Sequence, residues 1–178
     1  MSAITLMVED KAWRTHRGLQ ARLTQAAEAA RRSAKLRGDF SILLAGDKRL
    51  RALNLDFRGK DKPTNVLSFP AGGAYAGDIA IAYGVTKKEA KAAGKSLADH
   101  ASHLVVHGVL HLLGYDHETT PDAETMESLE TKILSQLGVS DPYSAPAAGS
   151  GPAKTRGAQM VKTRGARPVK TRGARRPL

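Results

Sequence analysis

The 178-residue chain is 41% hydrophobic, carries a formal charge of +11 and contains no cysteine. That composition suits a single globular domain and excludes both a disulfide framework and a thiolate metal site. No apolar run reaches membrane-spanning length, and Met1 to Gln20 holds no signal-peptide core, so the expectation is a cytoplasmic protein with no membrane partner. The charge is uneven. Residues 145–178 hold nine Lys plus Arg and no acid, leaving 19 basic against 17 acidic residues in 1–144. A folded domain over 1–144 is therefore expected, followed by a basic tail that contacts polyanions, most simply nucleic acid.

In chain order, Ile4 to Val8 reads as a strand. Residues 12 to 35 read as a helix with Leu19, Leu23, Ala26, Ala27 and Ala30 on one face. Phe40 to Ala45 is a second strand, and Asp47 is the expected cap of a helix that buries Leu50, Leu53 and Phe57 and stops at Gly59. The basic turn Arg58-Gly59-Lys60-Asp61-Lys62-Pro63-Thr64-Asn65 follows; by composition alone its charges are solvated, or Arg58 pairs with Asp61. Val66 to Phe69 and Asp78 to Ala82 read as strands, the second antiparallel to the first, which makes four in all. Thr86-Lys87-Lys88-Glu89 has the pattern of a capping box opening a helix that Gly94 ends, and Ser96 caps the next. Thr120-Pro121 opens the last helix, with Pro at its first position, Met126, Leu129, Ile133 and Leu137 inside and Gly138 at its end. From Ala145, Lys-Thr-Arg-Gly-Ala recurs at Lys154, Lys162 and Lys170 in a segment too poor in apolar residues to fold, so the tail is expected to be disordered.

The chemistry concentrates between His100 and His117, which hold five of the six histidines. On a helix, His107 and His111 are four residues apart, about 40° round the axis, so both imidazoles leave one face. His117 cannot join them unless the helix stops, and Gly114 is the residue suited to stopping it in a left-handed conformation. A single histidine here would be an ordinary residue of an amphipathic helix; three around a glycine break point to a metal. Three neutral imidazoles leave the fourth position of a tetrahedral zinc ion to water, as in catalytic sites. Nickel and copper suit imidazole too. His103, one turn before His107, would touch substrate or support a ligand. The His-x-x-x-His-x-x-Gly-x-x-His spacing is shared with the metzincin proteases, but Gly108 stands where their general-base glutamate would be.

Taken together, His107 to His117, Leu53-Asn54 with the run Arg58 to Phe69, and Gly77-Asp78-Ile79 resemble the YbeY family of metal-dependent endoribonucleases and rRNA maturation factors, over roughly residues 3 to 140. The resemblance implies an α+β fold, a small mixed four-stranded sheet packed with about five helices, and a zinc site at the end of a central helix. It implies one zinc per chain on His107, His111 and His117, and Arg58 as the arginine needed for activity. Lys60, Lys62 and His103 are the expected contacts to substrate. The implied partners are single-stranded RNA, notably the 3′ end of 16S rRNA, and ribosomal particles. The alternatives are a non-catalytic, zinc-containing ribosome-assembly factor and a metalloprotease. The basic tail lies outside the resemblance.

Overall fold

In the computed structural model, residues 2–144 and the backbone of 159–160 are described. Strands β1 (Ile4–Val8), β2 (Asp39–Ala45), β3 (Val66–Pro70) and β4 (Tyr75–Ala82) form a mixed sheet in the order β1-β2-β4-β3. β1, β2 and β4 run parallel, and β3 is antiparallel to β4. The α+β sheet of four strands expected from the sequence is present with its five α-helices. A two-residue β5, Gln159–Met160, is added in parallel beside β3. The tail repeats beginning at Lys154, Lys162 and Lys170 lie outside the described residues.

Both faces of the sheet are covered, so its central strands are almost wholly apolar. On one face, Phe40, Ile42, Leu44, Val66, Ile79 and Ile81 pack with helices α1 (Leu19–Ser33), α4 (Leu97–Leu112) and α5 (Thr120–Gln136). On the other, Leu43, Ala45, Leu67, Phe69, Ala80 and Ala82 pack with Leu50 and Leu53 of α2 (Asp47–Arg58). The alternation follows the two-residue period of a strand. Helix α3 (Tyr83–Ala92) leads from β4 into α4.

Helix boundaries differ from expectation in four places, each for a local reason. The helix expected over 12–35 is split: a 3-10 helix, Lys11–Thr15, is pinned because the Trp13 indole N–H donates to the Ala45 carbonyl at 2.9 Å. Gly18, at φ 77°, then breaks the chain before α1. Asp47 is not the cap of α2 but its first residue; Gly46 holds the cap position, and Asp47 Oδ1 accepts the Val85 N–H at 3.0 Å. Thr86 lies inside α3 with its hydroxyl on the Ala82 carbonyl at 2.6 Å, and Glu89 serves Asn65 and His100 instead of a capping box. Thr119 caps α5, which places Pro121 second in the helix. Ser96 caps α4 as expected, accepting the Asp99 N–H at 3.0 Å.

No helix among the described residues is long and apolar enough to cross a membrane. The tightest strand contact is at Gly77, whose φ is 141° and where an added Cβ would lie 2.3 Å from the Phe69 carbonyl oxygen. Gly77→Ala should lower the free energy of unfolding by about 2–6 kcal/mol, since overpacking and a disfavoured backbone each cost about 1–3. Urea denaturation measures this, and a loss below about 0.5 kcal/mol, the range of ordinary surface changes, would contradict it.

Candidate metal centre

The site begins with a helix that is buried on every side. From His100 to Leu112 each residue of α4 is shielded, and Gly108 lies against the sheet residues Ile79 and Ser68. A Cβ at that position would sit 2.8 Å from Ile79 Cγ2, and the Ser68 hydroxyl donates to the Gly108 carbonyl at 3.1 Å. A glutamate there would force Ile79 out of its place. The protease general base is thus excluded by packing as well as by composition.

α4 ends as the spacing requires. Leu113 is its C-cap and Gly114 follows at φ 88°. The Tyr115 N–H bonds to the Leu110 carbonyl at 3.2 Å and the Gly114 N–H to the His111 carbonyl at 3.0 Å, a Schellman closure. Asp116 Oδ1 then accepts the His117 backbone N–H at 2.7 Å and shapes the turn that returns His117 to the helix. The ligand atoms of His107, His111 and His117 consequently all lie within 4.8 Å of one another.

The tautomers follow from the partners, because a carbonyl or carboxylate oxygen can only accept. His111 Nδ1–H donates to the Tyr115 carbonyl at 2.7 Å, and His107 Nδ1–H donates to Glu130 Oε1. In their neutral forms both Nε2 atoms then carry lone pairs, and they stand 2.9 Å apart. Two buried lone pairs at that distance repel unless a cation or a shared proton lies between them. The donor set thus fits a metal ion. Burial, reinforced by His107 and His117, pushes the His111 imidazole down to about 3, so it is neutral, as a ligand must be.

Glu130, which the sequence reading overlooked, supports this arrangement. It is fully buried on α5, where Oε2 accepts His103 Nε2–H at 3.0 Å and the Tyr143 hydroxyl. Burial pushes its carboxyl upward, but His107 and the bonds from His103 and His107 outweigh that and hold it below the usual carboxylate range. The Tyr143 phenol is pushed up by burial and by Glu130. A signal for Glu130 was present: it falls four residues after Met126 and three before Ile133, an acid on the apolar face of a helix. Tyr143 had none. His103 is 2% exposed and bonds to Glu130, so of the two roles left open for it the supporting one fits its position.

Arg58, Lys60 and Lys62 belong to the end of α2 and the turn after it, on an element separate from the histidines. Gly59, at φ 66°, caps α2. Asn54 organises the turn: it is 1% exposed, its Nδ2 donates to the Lys62 carbonyl at 2.8 Å and its Oδ1 accepts Arg58 Nη1–H at 3.3 Å. Partial burial lowers the Arg58 guanidinium from its ordinary value. Asp61 is held by Arg51, at 2.7 and 3.0 Å, so the expected alternative of an Arg58–Asp61 pair is replaced by an Arg51–Asp61 pair. Lys60 and Lys62 are exposed.

Purified protein should hold about one metal ion per chain, and His107→Ala, His111→Ala and His117→Ala should each lower occupancy sharply, by elemental analysis of the purified variants. Full occupancy in His117→Ala would remove the turn after Gly114 from the site.

Comparison with known proteins gives the family. The profile of the family Endoribonuclease YbeY matches residues 7–138. The Endoribonuclease YbeY of Maricaulis maris is 45% identical, over 85% of this chain and 98% of its own length. That of a Chelativorans species is 52% identical, over 72% of this chain and 83% of its own. The solution structure of a Thermotoga maritima protein superposes with a TM-score of 0.55 at 26% identity, covering 76% of this chain and 89% of that one. The chain that sets three imidazoles around one point at the broken end of α4 belongs to the endoribonuclease YbeY family.

Proposed function

We propose that this protein is a zinc-dependent endoribonuclease specific for single-stranded RNA, acting in the cytoplasm on rRNA, at the 16S 3′ end, and in ribosome quality control. The observation that carries the metal part is the convergence of the His107, His111 and His117 ligand atoms within 4.8 Å, with the Nδ1 atoms of His107 and His111 bonded elsewhere and their Nε2 atoms 2.9 Å apart. Family membership supports the reaction class and the RNA substrate. The all-nitrogen donor set favours zinc.

His107, His111 and His117 would hold the ion, which when bound supplies Lewis acidity towards water and phosphoryl oxygen. The remaining work falls to the chain's own side chains. Cleavage of a phosphodiester develops negative charge on the non-bridging oxygens, and the Arg58 guanidinium is the charge-stabilising group for it. Asn54 and the left-handed Gly59 hold that arginine at the end of α2, so little reorganisation is needed during reaction. Lys60 and Lys62, exposed on the same turn, contact the RNA backbone, and the tail adds attraction without sequence preference. A non-catalytic assembly role for the same zinc and basic surface would be contradicted by RNA cleavage that disappears in His111→Ala.

Arg58→Ala should lower kcat and kcat/KM together by about 10²-fold or more, the cost of one preorganised donor, while metal content and melting temperature stay normal. Arg58→Lys should recover only part, since an ammonium keeps the charge but not the planar two-point contact. An unchanged rate would remove Arg58 from the catalytic assignment.

A chain ending at Tyr143 should keep its fold and its cleavage of single-stranded RNA but bind RNA with a weaker dependence on salt. The nine tail cations set an upper limit of about 6 on the change in log-log slope, at about 0.7 per phosphate. Identical slopes for the two chains would show that the tail does not touch RNA.

A further inference from the structure

We propose that Glu130 and Tyr143 are positioning residues for the metal centre: the buried carboxylate, itself held by the phenol, fixes the ring and tautomer of His107 and strengthens its Nε2 as a ligand. The inference rests on the metal reading above and goes beyond its ligand set.

Three features carry it. Glu130 is fully buried, and the bonds to its oxygens come from His107, His103 and Tyr143. Removing a carboxylate from water is costly, and as a purely structural device it is often matched by an apolar side chain of similar size. Its position is better explained by a charge close to it, since a carboxylate on the far nitrogen of a ligand imidazole raises ligand basicity and stops the ring from turning. Second, each oxygen has a separate task. Oε1 takes the His107 Nδ1–H, while Oε2 is occupied by the His103 Nε2–H and the Tyr143 hydroxyl, so the carboxylate cannot rotate away from His107.

Third, Tyr143 is itself anchored. Asp141 Oδ1 accepts the Tyr143 N–H at 2.8 Å and the Thr131 hydroxyl at 3.3 Å, which folds the segment after α5 back onto that helix. The Tyr143 ring meets His103 edge-on, with centroids 5.6 Å apart. Tyr143 lies beyond residue 138, where the family match ends. The 85% of this chain matched by the Maricaulis maris relative nonetheless includes it.

The test uses full-length Glu130→Gln and Tyr143→Phe. Zinc affinity is measured by competition with a chromophoric chelator, ligand geometry by the visible spectrum of the cobalt-substituted protein, and stability by melting in the metal-free state. Glu130→Gln should weaken zinc binding by about 10- to 100-fold. Tyr143→Phe should weaken it less, and both should shift the cobalt spectrum while melting close to wild type without metal. If Glu130→Gln fails to fold, Tyr143→Phe decides alone. Unchanged affinity and spectrum in Tyr143→Phe would overturn the proposal, as would a loss of affinity matched by a lower metal-free melting temperature. A wild-type protein that takes up no metal would instead overturn the metal reading itself.

Discussion

The close seat of α4 on the sheet at Gly108 decides the rest of the site. With residue 108 turned against Ile79 and Ser68, the helical period of 100° per residue sends His107 and His111 to one flank, roughly 100° and 60° away on the same side. His100 and His103 fall on that flank too, about 80° and 140° round. A side chain at position 108 would lift or roll the helix and carry all four imidazoles with it. The glycine that removes the protease-type base is thus the same residue that aims the ligands, and both consequences follow from one contact distance.

That orientation takes the histidine row out of water, and buried polar groups need partners. Two carboxylates from different helices meet this need. Glu89 of α3 lies 2.8 Å from His100, and Glu130 of α5 serves His103 and His107. His111 receives a backbone carbonyl instead, and without a carboxylate its charged form is disfavoured by burial and by its neighbours. The partners change along α4: His100, His103 and His107 meet carboxylates, and His111, at its end, meets a backbone carbonyl.

The fold and the convergence of the three histidines were legible because they depend on local rules. Strands announced themselves as short apolar runs, Gly59, Gly94, Gly114 and Gly138 marked helix ends where φ is positive, and a four-residue spacing fixed the facing of two imidazoles. What was not legible depends on distant partners. Thr86 and Glu89 have the spacing of a capping box, yet Glu89 is drawn to Asn65 and His100, and α3 starts at Tyr83. Trp13 ends the first helical stretch because its indole finds a carbonyl 32 residues away. Glu130 and Tyr143 reach α4 across 23 and 40 residues, a separation that no periodic pattern encodes.

Arg58 and the imidazoles sit on elements that pack against opposite faces of the sheet, so their mutual placement depends on what joins those elements. Two asparagines supply the connection. Asn54, buried in α2, holds the near end of the basic turn through Arg58 and the Lys62 carbonyl. Asn65, 1% exposed at the far end, donates to Glu89 at 3.0 Å, and Glu89 in turn meets His100 on the ligand helix. Pro63 and the entry into β3 limit the freedom of the residues between. The turn is therefore tied at one end to α2 and at the other, through a side-chain bridge, to α4. Charge-stabilising groups act well when their geometry is set before the reaction begins. Here interior amides and a carboxylate set the geometry of the turn that carries Arg58.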